Sequence, residues 1–151
     1  MSVPSTPPGY HTVTPYLIVK GAAQALDFYQ TAFGATLLMR MDGPEGRVMH
    51  AEIKIGDSPI MLADEAPDLG LRGPLSLGGA SASLLVYVDD VDVRFATAVA
   101  AGATVQRPVK DQFYGDRSGT LTDPFGQMWT LATHVEDVSP EEMTRRMQAG
   151  P

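Results

Sequence analysis

The sequence predicts an α+β protein made of two βαβββ modules followed by a closing helix. Three observations carry this expectation. The first is a repeat: LIVKGAAQALDFYQTAFGAT over 17–36 matches LVYVDDVDVRFATAVAAGAT over 85–104. Each copy is an apolar strand-like run, an amphipathic stretch and a closing A-x-G-A-T, the pattern of a duplicated supersecondary unit. The second is the period-two alternation of Val48–Ile55, with Met49, Ala51, Ile53 and Ile55 on one face and His50, Glu52 and Lys54 on the other. The third is helix punctuation: Gly34 and Gly102 after the amphipathic stretches, and Ser139-Pro140-Glu141-Glu142 opening the last one.

Each element follows in order. Residues 1–10, with Pro4, Pro7 and Pro8, read as a flexible arm. Thr12–Val19 is a strand with Val13, Leu17 and Val19 on one face and Thr14, Tyr16 and Ile18 on the other. A helix spans Gly21–Phe33, its stripe formed by Ala22, Leu26, Tyr29 and Phe33. Strands follow at Thr36–Met41, Val48–Ile55 and Ile60–Ala63, joined by Gly-rich turns. Residues 65–81 lose all periodicity and are rich in Gly and Pro, so they form the linker between module one (11–64) and module two (82–134). The second module runs through a strand at Ser83–Val88 and a helix at Val91–Ala101. A short strand at Thr104–Arg107 is stopped by Pro108, and a strand lies within Gln112–Asp123. The last core strand is Met128–Thr133, and residues 135–151 hold a C-terminal helix and tail. Strand faces turned away from the helices mix Thr, Ser, Tyr, His, Glu and Met, a composition suited to lining a cavity between the modules.

Composition narrows the classes of function. A chain of 151 residues fits one domain with a substantial core. A net charge of −7 argues against a nucleic-acid partner, because phosphate binding draws on clustered Lys and Arg. With no Cys there is neither a disulfide framework nor a thiolate site. No apolar run approaches the length of a membrane helix, and MSVPSTPPGY lacks the apolar core of a signal peptide, so no membrane partner and a cytoplasmic location are expected.

Three segments carry a resemblance to a known family: TPYLIVKGAAQALDFYQTAFGA (14–35), VMHAEIKIGDSPIMLADE (48–65) and DQFYGDRSGTLTDPFGQMWTLATHVEDVSPEEM (111–143). Together they resemble the vicinal oxygen chelate superfamily, which contains glyoxalase I, bleomycin-resistance proteins and extradiol dioxygenases. Within it the chain is most similar to the PhnB-like glyoxalase-domain branch. The resemblance implies an eight-stranded mixed sheet curled around a pocket and a homodimer. Gln127 departs from the His that many members carry there.

Enzymes of this superfamily hold a divalent metal through four strand-borne His, Gln or Glu side chains. The matching positions here are Thr14, Met61, Ser83 and Thr130. Hydroxyls and a thioether are poor donors for such ions, so no metal and no other cofactor are expected. The strongest catalytic candidates are His50 and Glu52, which share a strand face at i, i+2 and form either an acid–base pair or a hydrogen-bonded pair on a half-solvated surface. Tyr114 and Arg117 offer a second candidate group, with Arg117 either pinning a substrate anion or clamped by Asp116. Tyr16 and Tyr87 share the cavity-facing parity and either stack on a flat ligand or fill space. Trp129 has helix-facing parity and is expected in the core. The function expected is metal-independent binding of a small-molecule ligand by Thr14, Tyr16, Met61, Ser83, Tyr87, Tyr114, Arg117 and Thr130. The alternative is a metal-free lyase or isomerase using His50 and Glu52.

Overall fold

The repeat resolves into two four-stranded mixed sheets with the same internal order. A computed structural model describes residues 2–150, and Met1 of the expected arm and Pro151 of the tail lie outside the described residues. In the first half, β1 (Tyr16–Val19), α1 (Ala22–Phe33), β2 (Thr36–Asp42), β3 (Val48–Ile55) and β4 (Ser58–Asp64) give a sheet ordered β1-β4-β3-β2. In the second, β5 (Ser83–Tyr87), α3 (Val91–Ala100), β6 (Thr104–Asp111), β7 (Asp116–Thr122) and β8 (Met128–His134) give β5-β8-β7-β6. In each sheet the first and last strands of the module pair in parallel and the remaining neighbours are antiparallel. Between the modules lie a short 3-10 turn and α2 (Pro74–Leu77), and α4 (Pro140–Ala149) closes the chain. The stretch expected to be an aperiodic linker therefore contains a helical turn, set by Gly73-Pro74 at its start and Gly78 at its end. None of the helices is long and apolar enough to cross a membrane among the described residues.

The chain divides into two compact units, one holding the residues up to Ala80 together with Pro124–Gly126, the other holding Ser81–Asp123 and the residues from Gln127 onward. In the first unit Ala22, Leu26, Tyr29 and Phe33 of α1 are buried, as are the inward side chains Ala51, Ile53 and Leu62. Tyr29 stacks on Phe33 at 5.9 Å, and Phe125 packs edge-on to Phe28 at 6.2 Å. Gly21, in the left-handed region at φ 93, cannot cap α1 with a side chain. Asp64 at the end of β4 does so instead, its Oδ1 accepting from the Gly21 and Ala22 amides at 3.0 and 2.7 Å.

The second unit repeats this logic with different residues. Asp90 caps α3 through the Val93 amide at 3.2 Å, and Thr133 Oγ1 accepts from the Val91 amide at 3.0 Å. Phe95 and Ala98 of α3 are buried, with Leu121, Trp129 and Leu131 of the sheet. Gly119 sits where α3 rides close to β7, and a Cβ there would come within 2.7 Å of the Phe95 ring. The D-P-F-G turn is held by Asp123, whose Oδ1 accepts from the Gln127 amide at 3.0 Å and Oδ2 from the Trp129 indole at 2.8 Å. Trp129 is fully buried, as its parity predicts.

Three local expectations are corrected. The first strand begins at Tyr16 rather than Thr12, so Thr14 precedes it. The strand from Thr104 continues through Pro108 to Asp111, because β6 is an edge strand where a missing N–H costs no ladder bond. Met49 is exposed and Val48 buried, because the β2–β3 register slips between Met41 and Asp42 and carries Met49 off the core face.

Candidate functional site

In the first unit the face of β3 turned away from α1 carries His50 and Glu52, with Glu52 opposite Met61 on β4 and Met39 on β2. These side chains belong to a four-membered hydrogen-bond chain. The Tyr10 hydroxyl donates to Glu52 Oε2. Glu52 Oε1 lies 3.0 Å from His50 Nε2, and His50 Nδ1 lies 2.8 Å from the Tyr16 hydroxyl. An ionised carboxylate only accepts, so Nε2 carries the proton toward Glu52 and, in the neutral ring, Nδ1 accepts from Tyr16. The hydrogen bond from Tyr10, and then that from His50, holds the Glu52 carboxyl below its usual range. The same bond to the carboxylate pushes the Tyr10 phenol up to about 12, with burial and the Glu52 charge adding to it. Chemically this is a relay whose outer end, Tyr16, is 48% exposed. Tyr10 was invisible as a site residue because it closes the Pro-rich arm. The only signal was an aromatic residue directly ahead of the first strand.

The second unit carries a concavity of about 670 Å³ on the sheet face opposite α3. Leu85, Arg107, Lys110, Phe113, Tyr114 and Thr130 are among its lining. Thr130 sits beside Thr120 on the neighbouring strand with their hydroxyls 2.9 Å apart. Phe113 meets Tyr114 edge-on at 5.2 Å, and both rings line the concavity. Tyr114 and Thr130 thus line the same concavity. Arg107 and Lys110 join them without having been singled out, since they lie on a stretch that reads as strand end and turn.

Ser83, Tyr87 and Arg117 go elsewhere. Ser83 opens β5 opposite Met128, and it is Leu85 that pairs with Thr130. Tyr87 donates to Asp116 Oδ2 at 3.0 Å, and Asp116 Oδ1 lies 2.8 Å from His134 Nδ1. His134 Nε2 lies 2.7 Å from Asp137 Oδ1, so Asp137 and then Asp116 push its imidazole up. Arg117 does not pair with Asp116 and does not line the concavity. On β7 it has the parity opposite to Ser118 and Thr120, and it meets Asp92 in the first turn of α3 at 2.8 and 2.9 Å and Asp111 at 3.2 Å. In the first unit Thr14 donates to the His11 carbonyl at 3.2 Å, and Tyr16 lies opposite Met61 in the β1–β4 register.

The positions that match the superfamily's metal ligands offer hydroxyls at Thr14, Ser83 and Thr130 and a thioether at Met61. The Thr14 and Thr130 hydroxyls are already engaged with His11 and Thr120. No set of three or more His, Cys, Asp or Glu among the described residues is placed to hold an ion. This donor chemistry does not fit a divalent metal of the kind the superfamily uses. Gln127, at the position where many members carry His, spends its amide on the carbonyls of Ala82 at 2.9 Å and Met128 at 3.2 Å.

The sequence pattern of the Glyoxalase/Bleomycin resistance protein/Dioxygenase superfamily matches residues 10–131. An uncharacterized protein of Mycobacterium bovis, Mb0911c, is 41% identical over 140 residues, covering 91% of this chain and 92% of its own. Among solved structures, protein PA1353 from Pseudomonas aeruginosa superimposes with a TM-score of 0.67 at 28% identity, covering 83% of this chain and 99% of its own. TioX from Micromonospora sp. ML1 does so with a TM-score of 0.63 at 25% identity, covering 85% and 100%. The duplicated βαβββ order, the shared register within each sheet and these matches agree, and the chain belongs to the glyoxalase/bleomycin resistance protein/dioxygenase superfamily.

Proposed function

We propose that this protein binds a small molecule without a metal, sequestering or carrying it, and that the second module's concavity is where the ligand sits. The observation that carries this reading is Thr130. At a position where superfamily enzymes place a metal ligand, a neutral hydroxyl is paired with Thr120 on the surface of an aromatic-walled concavity of about 670 Å³. Such a volume lies in the range of small-molecule sites, and hydroxyls with aromatic walls suit reversible binding rather than Lewis-acid chemistry. Screening small organic compounds by thermal shift tests it. A binder should raise the midpoint in proportion to the logarithm of its concentration, and Thr130→Trp, which fills the concavity, should remove that response. A full response in Thr130→Trp would move the site elsewhere.

The second reading is a metal-free lyase or isomerase. It is favoured by the Tyr10–Glu52–His50–Tyr16 chain, which could pass a proton to or from a substrate at the Tyr16 hydroxyl. Turnover abolished in His50→Ala but retained in Thr130→Trp would favour it over carriage.

The finer placement in the PhnB-like branch belongs to this proposal and rests on the segment 111–143. A cytoplasmic setting and a two-fold homodimer are part of the same proposal. The dimer is supported by Leu37, Leu38, Met39 and Met41, exposed on the edge strand β2 as an apolar surface that a second copy would cover. Light scattering at micromolar concentration should give twice the chain mass.

A further inference from the structure

The concavity of the second unit holds two cations and no carboxylate among its lining residues. Among the described residues the Arg107 and Lys110 side chains make no hydrogen bond or ion pair, whereas Arg117, Arg145 and Arg146 are all committed to acidic partners. In a protein of net charge −7, two unpaired cations on one concave face stand out.

Their placement depends on a specific irregularity. Side chains alternate along a strand, so residues three apart should point to opposite faces. In β6, however, Arg107 lies opposite Thr120 and Lys110 opposite Ser118, two β7 residues that share one face. A register shift between Arg107 and Lys110, around Pro108, restores both to the concave side. Charges are common on edge strands as protection against unwanted pairing, but that role asks only for charge at the edge, not for two side chains turned to one face.

The first module shows that the fold does not require cations there. In β2 a slip between Leu37 and Met39 matches the one between Val105 and Arg107, and with no second shift before Met41, Met39 lies opposite Glu52 and Met41 opposite His50. The duplicated position thus carries thioethers facing an acid and an imidazole in one copy, and cations facing hydroxyls in the other.

We propose that this concavity takes a small organic anion, with Arg107 and Lys110 holding its carboxylate or phosphate and Phe113 and Tyr114 flanking its apolar body. This rests on the small-molecule reading above and narrows it to a ligand class. Guanidinium and ammonium donors give charge-assisted bonds to either oxyanion, and the paired rings supply contact area. The Thr120–Thr130 pair uses one hydroxyl proton, so the second O–H is left to donate to a hydroxyl or carbonyl on the same molecule.

The test uses three probes of similar size, phenylacetate, phenyl phosphate and the neutral phenylacetamide, titrated into isotope-labelled protein and followed by backbone amide NMR shifts. The two anions should move the Arg107, Lys110, Gln112 and Thr120 resonances, with the neutral probe binding at least about tenfold more weakly, as expected for lost charge-assisted bonds. The stronger anion identifies whether carboxylate or phosphate is preferred. In Arg107→Gln/Lys110→Gln the anion preference should disappear while any binding of phenylacetamide stays, and raising the ionic strength should weaken only the anions. Equal binding of all three probes would overturn the anion inference and leave small-molecule binding standing. No probe moving these resonances would overturn both. Anion shifts confined to residues outside β6 and β7 would overturn the assigned site.

Discussion

Glu52 Oε1 stands 3.0 Å from Nε2 of His50, two residues earlier on the same strand. The i, i+2 spacing alone places the pair on one face, but the partners beyond it decide what it can do. With Tyr10 on the far side of Glu52 and Tyr16 on the far side of His50, every polar atom of the imidazole is engaged. The pair is held in one orientation by a phenol at each end.

That arrangement predicts a late-titrating tyrosine. The Tyr10 phenol is pushed up to about 12, so its protonated form is favoured by folding. Its contribution is fully present below the ordinary tyrosine value of roughly 10 and is lost as pH rises through the folded value. Glu52 runs the opposite way. Its carboxyl is held low, so its contribution is present above the ordinary carboxylate range and lost as pH falls through the folded value. Ultraviolet tyrosinate titration should show a late step near pH 12 that loses the amplitude of one tyrosine in Tyr10→Phe. If the two titrations differ instead by one ordinary tyrosine, Tyr10 is not docked on Glu52.

His134 gives a prediction at neutral pH. Asp137 first, and Asp116 second, push its imidazole up. The associated stability is present below the ordinary histidine value and fades as pH rises through the folded one. Proton NMR should find His134 titrating above a free histidine, and Asp137→Asn should lower it. An unchanged titration in Asp137→Asn would show that the exposed pair does not persist in solution.

Gly115→Ala should destabilise by about 1–3 kcal/mol or more. Gly115 adopts φ 102, and a Cβ there would meet the Glu136 carbonyl oxygen directly. Its own carbonyl accepts from the Val135 and Glu136 amides at 2.9 and 3.0 Å, so the loop cannot move aside without losing both bonds. Urea denaturation with an unchanged midpoint would contradict this packing.

Trp129→Phe should cost about 1–3 kcal/mol, since it removes the indole donor to a buried carboxylate and leaves space in the core. The bond to Asp123 is 2.8 Å and Trp129 is fully buried. A midpoint within error of wild type would mean that Asp123 is satisfied without it.

Much of the fold was legible because it is written in periodicity. The stripe of Ala22, Leu26, Tyr29 and Phe33 and the burial of Ala51, Ile53 and Ile55 follow from helix and strand geometry alone. Misreadings occur where the chain breaks its period. One extra residue puts Met49 outside and Val48 inside, and the shift around Pro108 turns Arg107 and Lys110 to one face. The site was legible in proportion. Parity places His50 with Glu52, the family resemblance points to Thr130, and Tyr114 stands out beside Gly115 in the turn before β7. Tyr10 and Asp137 depend on arm and loop paths, which no period encodes, while Asp116 meets His134 through the β7–β8 register. Arg117 was misjudged because its neighbour in sequence, Asp116, points to the other face of β7 and its partner Asp92 is distant in sequence.

Native mass spectrometry of untagged protein from its own host, before and after treatment with a chelator, tests metal-independent small-molecule binding most directly. The expected result is an organic adduct, one per chain, that survives chelation and is lost in Thr130→Trp. One stoichiometric divalent metal per chain, or an adduct that leaves with the chelated metal, would contradict it.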